Sequence, residues 1–378
     1  MPITSRSSNG SIDPMTHGVI SPVSVRSLNL SELLTQTARR YPTRPALVQG
    51  ARVMDWKTLD ARASALAHAL SVQGIGAGDR VLLHSPNCFE FVETMLAVWR
   101  MGAIWVPTNF RLTPDEVAYL AKSSGAAALI VHADYPQHLR SVAAETSLKA
   151  TLVIGGDYDV EVAPFVGQPF PAALVNRDDP AWFFFTSGTT GRPKAGVLTH
   201  GQLAFVTNNH LADLMPGMTA EHDASLVVAP LSHGAGVHFL PQLARGVVSV
   251  LPEGPGLAAD QVWRLVAQHH ITNMFTVPTI LNRLTSDPSV NAHDHSSLRC
   301  VIYAGAPMYR ADQIQALEKL GKVLVQYFGL GEVTGNITVL PAHEHHLGRD
   351  PHEGTCGYAR TGIDISMQSD RGEVLPPH

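Results

Sequence analysis

Short apolar runs alternate with amphipathic stretches along most of this 378-residue chain, and this alternation restricts the fold more than any other sequence feature. A short apolar run predicts a buried strand, whereas apolar residues spaced three and four apart predict a helix. The predicted strands cover residues 81–83, 104–106, 128–131, 151–154, 226–229, 247–251, 272–276, 299–303 and 322–326. The predicted helices cover residues 89–99, 114–122, 259–269 and 311–320. Alternation on this scale predicts an α/β protein in which two largely parallel sheets, each covered by helices, pack together.

The pattern also divides the chain into parts. Residues 1–26 are rich in Ser, Pro and Gly and lack the apolar core of a signal peptide, which predicts a disordered leader. Residues 27–215 and 216–342 predict two α/β subdomains, and the capping-box spacing of Asn29 and Glu32 predicts the first helix. Residues 343–378 predict an incomplete third, β-rich subdomain, because a hairpin at 363–375 stops as its second strand begins.

Composition and charge argue against several classes of protein. The chain has 27 basic and 32 acidic residues, a net charge of −5, whereas nucleic-acid-binding proteins usually have a basic excess. No apolar run reaches the roughly 18 residues of a membrane span. The cysteines Cys88, Cys300 and Cys356 form neither a disulfide framework nor a paired zinc motif, which favours a reducing, cytoplasmic compartment. The histidines at 343–346 do not have the HExxH spacing, and a polar turn explains them better than a metal site.

A loop at residues 186–194 carries the strongest chemical signal. It follows an apolar strand, its glycines let backbone N–H groups approach a phosphate, and Lys194 closes it with a positive charge. The spacing differs from a Walker A loop, and a flexible surface loop is the alternative interpretation. The residues assigned to phosphate binding are Thr186, Ser187, Gly188, Thr189, Thr190, Gly191 and Lys194.

This loop, followed by the sequence Val-Leu-Thr-His at 197–200, closely resembles the signature loop of the adenylate-forming superfamily. That superfamily includes acyl-CoA synthetases, luciferases and peptide-synthetase adenylation domains. Residues 76–81 and 102–107 also look like family segments, and the resemblance extends over nearly the whole chain from about residue 29. It implies that the loop holds pyrophosphate oxygens and that Thr186 and Lys194 act in catalysis.

The resemblance also implies the rest of the site. Glu332 would act in catalysis by holding Mg²⁺, because a hard cation prefers a carboxylate oxygen; a solvated glutamate is the alternative. Gly331 stands where the family usually has threonine, which removes a hydroxyl expected near the α-phosphate. The residues implied to hold adenosine are Gly305, Ala306, Pro307, Phe328 and Gly329.

The acid substrate is constrained by the segment that follows Pro230. By resemblance, His233 would act in catalysis by orienting the acyl group or gating its pocket, and a structural histidine is the alternative. Amino-acid-activating relatives usually place an aspartate in this region, but none lies between residues 230 and 251. A non-amino acid is therefore predicted, with an apolar tail near Val237, Phe239 and Val277.

The implied reaction is that of an acyl-CoA ligase, which uses ATP, Mg²⁺ and CoA as co-substrate. Family members run longer than this chain and carry a ribose-binding aspartate and a small C-terminal domain with a catalytic lysine, neither of which is recognisable here. We therefore expect a C-terminally truncated ligase with impaired turnover. The alternative is a non-catalytic binding module for nucleotide and acyl groups, or one completed by a separate C-terminal polypeptide.

Overall fold

The structure is a computed structural model that describes residues 28–186, 191–254, 256–348 and 354–376. Its α-helices are α1 (Glu32–Arg40), α2 (Trp56–Val72), α3 (Phe89–Arg100), α4 (Pro114–Ser124), α5 (Pro136–Glu145), α6 (Tyr158–Val162), α7 (His200–Asn209), α8 (Gly234–Arg245), α9 (Ala259–His269), α10 (Pro278–Ser286) and α11 (Arg310–Leu320). A π-helix covers His210–Leu214, and 3₁₀-helices cover Ala163–Phe165, Pro288–Asn291, Gly331–Val333 and Ala342–Glu344. The predicted α/β class is confirmed.

A six-stranded sheet contains the first group of predicted strands. Its strands are β3 (Arg80–His84), β4 (Ile104–Pro107), β5 (Ala126–His132), β6 (Ala150–Ile154), β7 (Pro180–Thr186) and β8 (Lys194–Thr199). The order is β6-β5-β3-β4-β7-β8, and every neighbouring pair is parallel except β7 with β8.

A nine-stranded sheet contains the second group. Its strands are β1 (Pro45–Gln49), β2 (Arg52–Asp55), β9 (Ala224–Leu226), β10 (Val248–Val250), β11 (Asn273–Thr276), β12 (Cys300–Tyr303), β13 (Leu324–Leu330), β14 (Gly335–Leu340) and β15 (Tyr358–Ala359). The order is β15-β14-β13-β12-β11-β9-β10-β1-β2, parallel from β13 to β1 and antiparallel at both edges. Since β1 and β2 belong to this sheet, sheet membership does not follow the predicted boundary at residue 215.

Two local predictions were wrong, and a third is confirmed only in part. Asn29 and Glu32 do not form a capping box; the Asn29 side-chain oxygen accepts from the Ser31 backbone N–H at 3.0 Å, its amide donates to backbone carbonyls of Trp99 and Ala173, and α1 begins at Glu32 without a side-chain cap. The apolar run at 226–229 is mostly not a strand, because β9 ends at Leu226; Val227 after it is buried in the core, and Val228 and Ala229 line a cavity. The hairpin predicted at 363–375 is confirmed in part: an antiparallel bridge joins Gln368 to Val374 across the turn, and the Leu375 backbone N–H donates to the Met367 carbonyl, but neither arm is a regular strand.

Helix α3 is buried along its whole length, including three charged residues. Buried charges are tolerated when each has a partner of opposite sign. Arg52 binds Glu90 at 2.8 Å, Arg62 binds Glu93 at 2.5 Å, and Arg100 binds Asp60 at 2.5 Å. These pairs fix α3 at the centre of the fold. Within the described ranges, no helix combines the length and the apolar character needed to cross a membrane.

Candidate active site

The candidate site lies where the end of β7 meets the segment after β13. Thr186, the last residue of β7, donates a hydrogen bond from its hydroxyl to the Glu332 carboxylate at 2.8 Å. The two residues are 146 positions apart in the chain: Thr186 ends a strand of the six-stranded sheet, whereas Glu332 follows a strand of the nine-stranded sheet. Sites in α/β proteins commonly form at the carboxyl ends of parallel strands, and β7, β11, β12 and β13 all end here.

The base of the predicted phosphate loop is well defined. Thr186 pairs with Lys194 in the antiparallel register of β7 and β8, so the loop is the connection of a hairpin. Lys194 is exposed, and the ring of Tyr119 lies under the Arg192 guanidinium at 5.3 Å. Gly191 adopts a φ of +94°, a conformation that side chains rarely adopt. Ser187, Gly188, Thr189 and Thr190 lie outside the described residues.

Thr199 and His200, which complete the signature sequence, have structural contacts. The Thr199 hydroxyl accepts from the Gln202 backbone N–H at 3.2 Å and the Gln202 side chain accepts from the Thr199 N–H at 2.9 Å, a capping box at the start of α7. The buried His200 ring accepts from the Leu30 backbone N–H at 3.3 Å. These residues fix the strand and helix that follow the loop.

Thr199→Ala is therefore expected to lower the free energy of unfolding by about 1 kcal/mol, the usual cost of losing an N-cap. Urea denaturation measures it. Thr113→Ala removes the same kind of capping box at α4 and is the matched control. An unchanged unfolding free energy for Thr199→Ala beside a loss for Thr113→Ala would contradict the capping role.

Glu332 and Gly331 occupy the 3₁₀ turn after β13. The Glu332 side chain is exposed, and its carboxylate lies next to the Thr186 hydroxyl. Gly331 lies against Phe184: a Cβ built on Gly331 would be 2.5 Å from a ring carbon of Phe184 and 3.2 Å from the Thr186 methyl carbon. No side chain fits at residue 331 while Phe184 keeps this position.

His233 is the N-cap residue of α8, and its ring lies against Phe184. Its Nδ1 lies 2.8 Å from the Ser232 hydroxyl, and its ring meets Phe184 edge-on at 5.6 Å between centroids. Burial lowers the pKa of His233 below its usual value, so the imidazole is neutral at pH 7. A neutral imidazole in contact with an aromatic ring can orient a carboxylate by donating a hydrogen bond without bringing a full charge.

An apolar cavity of about 640 Å³ opens beside these residues. Val237 and Val277 line it as predicted, whereas Phe239 does not; it is buried in the core. Two positions along a helix turn the side chain by about 200°, so Val237 and Phe239 face opposite sides of α8. None of the described residues that line the cavity is Asp or Glu.

A second cleft of about 500 Å³ contains the residues implied to bind adenosine. It is lined by Gly305, Ala306, Pro307, Phe328 and Gly329, together with residues that include Tyr303 and Gln326. Phe328 is 44% exposed, so its ring is available to a ligand. The two cavities share four lining residues, namely Gly305, Tyr327, Gly329 and Leu330. The two cavities therefore lie side by side.

Sequence reasoning missed several residues of the apolar cavity. Phe184 belongs to an apolar strand and gave no sign of facing a cavity. Arg111 and Arg283 line the cavity from two distant segments, and no motif marked them.

The histidine-rich segment at 343–346 has structural contacts. His345 is buried and contacts the Tyr303 hydroxyl at 3.0 Å. No metal-binding cluster of His, Cys, Asp or Glu occurs within the parts of the chain that the structure describes.

Comparisons with known proteins agree on one family. The family described as AMP-binding enzyme matches residues 34–378. A feruloyl-CoA synthase from Amycolatopsis sp. is 32% identical over 93% of this chain and 69% of its own length. The long-chain-fatty-acid–CoA ligase FadD13 of Mycobacterium tuberculosis is 29% identical over 92% of this chain and 68% of its own length.

Solved structures give the same result. A Mycobacterium tuberculosis fatty acyl CoA synthetase superposes with a TM-score of 0.82 at 26% identity, over 92% of this chain and 67% of that one. The anthranilate CoA ligase AuaEII, solved with anthranoyl-AMP, superposes with a TM-score of 0.83 at 23% identity, over 94% of this chain and 68% of its own. The second likeness supports the fold alone.

Proposed function

Because the chain belongs to the AMP-binding enzyme family, we propose that it activates a carboxylic acid with ATP and passes the acyl group to CoA. The observation that supports this best is the hydrogen bond between Thr186 and Glu332. It joins the base of the phosphate loop to an exposed carboxylate beside the two adjacent clefts. The relatives named above are longer, and this chain spans 69% of the feruloyl-CoA synthase.

In the first step a carboxylate oxygen of the acid attacks the α-phosphorus of ATP. A bond from oxygen to phosphorus forms, the bond to the bridging oxygen of pyrophosphate breaks, and acyl-AMP results. Lys194 and the loop would hold the pyrophosphate oxygens, and His233 would orient the acid. Such positioning and charge neutralisation provide most of the catalysis in phosphoryl-type transfer.

Glu332 and Thr186 fit a divalent cation, because both present oxygen and the Glu332 side chain is exposed. Hard cations such as Mg²⁺ bind one or two carboxylate oxygens together with phosphate oxygens. When bound, Mg²⁺ would neutralise the negative charge of the phosphates. Adenosine would lie in the second cleft, against the backbone of Gly305 and the ring of Phe328. In the second step the CoA thiol attacks the acyl carbon, the thioester forms and AMP leaves.

The cavity supports an apolar acid and argues against an amino acid. An α-ammonium group would need a carboxylate partner, and the described lining of the 640 Å³ cavity contains none. Its apolar side chains instead suit an aliphatic or aromatic tail. Arg111 and Arg283 lie at the same cavity and would repel an ammonium group.

Acid-dependent exchange between ATP and labelled pyrophosphate tests the proposal. We expect exchange with aliphatic or aromatic carboxylic acids, and none with amino acids of similar size or without acid. Thioester formation is then measured by mass spectrometry with the active acid and CoA. A folded chain that binds ATP but exchanges with no acid would contradict the proposed ligase and favour the non-catalytic binding module.

A further inference from the structure

Phe184 lines the apolar cavity next to the Thr186–Glu332 contact and has no part in the steps above. It lies two residues before Thr186 on β7, so both side chains project from the same face of the strand. The Thr186 hydroxyl contacts Glu332, and the Phe184 ring contacts the adjacent Gly331. The ring is therefore held next to the cation-binding carboxylate and lines the apolar cavity.

The ring is fixed from three sides. Trp182 packs against it at 5.3 Å between centroids, and His233 meets it at 5.6 Å. On the third side is Gly331, whose absent Cβ would lie 2.5 Å from the ring. Gly331 does not have a positive φ, so its backbone would accept any residue; glycine is required here by the ring of Phe184.

We propose that Phe184 is a specificity-determining residue that selects acids unbranched at the carbon next to the carboxylate. This inference rests on the proposed function, because it takes the reacting carboxylate to lie near Thr186, Glu332 and His233. The atoms that follow the carboxylate must then pass the face of the Phe184 ring. A methyl group on the α-carbon would point into that ring, whereas a straight or planar acid would lie along it.

Isomeric acids test the proposal, since each pair has the same composition and a similar apolar surface. The pairs are pentanoate with 2-methylbutanoate, and 3-phenylpropanoate with 2-phenylpropanoate; the pair is chosen from the class of acid that the chain exchanges. For the natural chain we expect kcat/KM of exchange to favour the unbranched isomer by about tenfold or more, the usual effect of one misplaced methyl group.

In Phe184→Ala the ratio of the two kcat/KM values should fall to within about threefold, because kcat/KM for the branched acid rises. Phe205→Ala removes an exposed phenylalanine outside the cavity and should keep the natural ratio.

A second set of variants tests the contact with Gly331. Gly331→Ala should lose exchange with both isomers, because its Cβ displaces the Phe184 ring into the cavity. The double variant Phe184→Ala/Gly331→Ala should recover exchange and accept the branched isomer. Equal use of both isomers by the natural chain, or an unchanged ratio in Phe184→Ala, would overturn the role of Phe184. Absence of exchange with every acid would instead refute the proposed function.

Discussion

Glu332→Gln is expected to lower acid-dependent exchange by about 10²- to 10³-fold, the usual loss when one group that stabilises transition-state charge is removed. Glutamine keeps the size of the side chain and an oxygen that can accept from Thr186. It removes the negative charge that would hold a divalent cation beside the phosphates. Because Glu332 is exposed, the fold should not depend on that charge.

The measurement is the exchange rate at saturating ATP, repeated over a range of Mg²⁺ concentrations. If Glu332 holds the cation, the variant should need more Mg²⁺ for half-maximal exchange, while its melting temperature stays unchanged. Glu318→Gln makes the same change at an exposed glutamate of α11 and should exchange like the natural chain. Full activity of Glu332→Gln at low Mg²⁺ would exclude Glu332 as the cation ligand.

Much of the fold was predictable because burial of short apolar strands leaves a local signal. The runs at 81–83 and 128–131 are fully buried, and in the edge strand that contains 151–154 buried residues alternate with half-buried ones, so the apolar character of each run reports its environment directly. The pairing of β1 with β10 was not predictable. It joins Leu47 to Ser249 across about 200 residues, and neither strand contains a residue that specifies its partner. The strand predicted at 226–229 extends past the observed end of β9 at Leu226. Residues that line an apolar cavity are as apolar as residues in a buried strand, so the sequence does not distinguish them.

The candidate site could be proposed from the sequence where its proposed chemistry needs particular residue types. Glycines, hydroxyls, a lysine and a glutamate are visible in the sequence, and in the structure Thr186 pairs with Lys194 across β7 and β8 and binds Glu332. Contacts between apolar residues carry no such mark. Phe184 packs on Gly331 only because the fold brings the two residues close together. Phe239 lies outside the cavity because of the side of α8 from which its side chain projects.

The free energy of unfolding is expected to fall by about 5 kcal/mol when the pH is lowered from 7 to 5.5. Four fully or nearly fully buried histidines account for this figure, and the lowered pKa of His233 would add to it. Burial lowers the pKa of His84 and His210 to about 3 and that of His200 and His238 to about 4. The native state therefore stays neutral at these positions, whereas unfolded histidine takes up a proton below about pH 6.5.

The sign follows from proton binding. Between pH 6.5 and 4 the unfolded chain binds more protons than the native one, so stability is present above pH 6.5 and is lost as the pH falls toward the native pKa values. Most carboxylates remain ionised at pH 5.5, which separates this effect from ordinary acid unfolding.

Urea denaturation at several pH values gives the slope of unfolding free energy against pH. His210→Gln should reduce that slope by at most about a quarter, since it removes one of the four histidines with the largest lowering of pKa. Asn209→Ala disturbs the neighbouring buried position without removing a titrating group, and should lower stability while it leaves the slope unchanged. If the free energy of unfolding does not change between pH 7 and 5.5, these histidines are accessible to water in the native state. The core around α7 and α8 would then be hydrated.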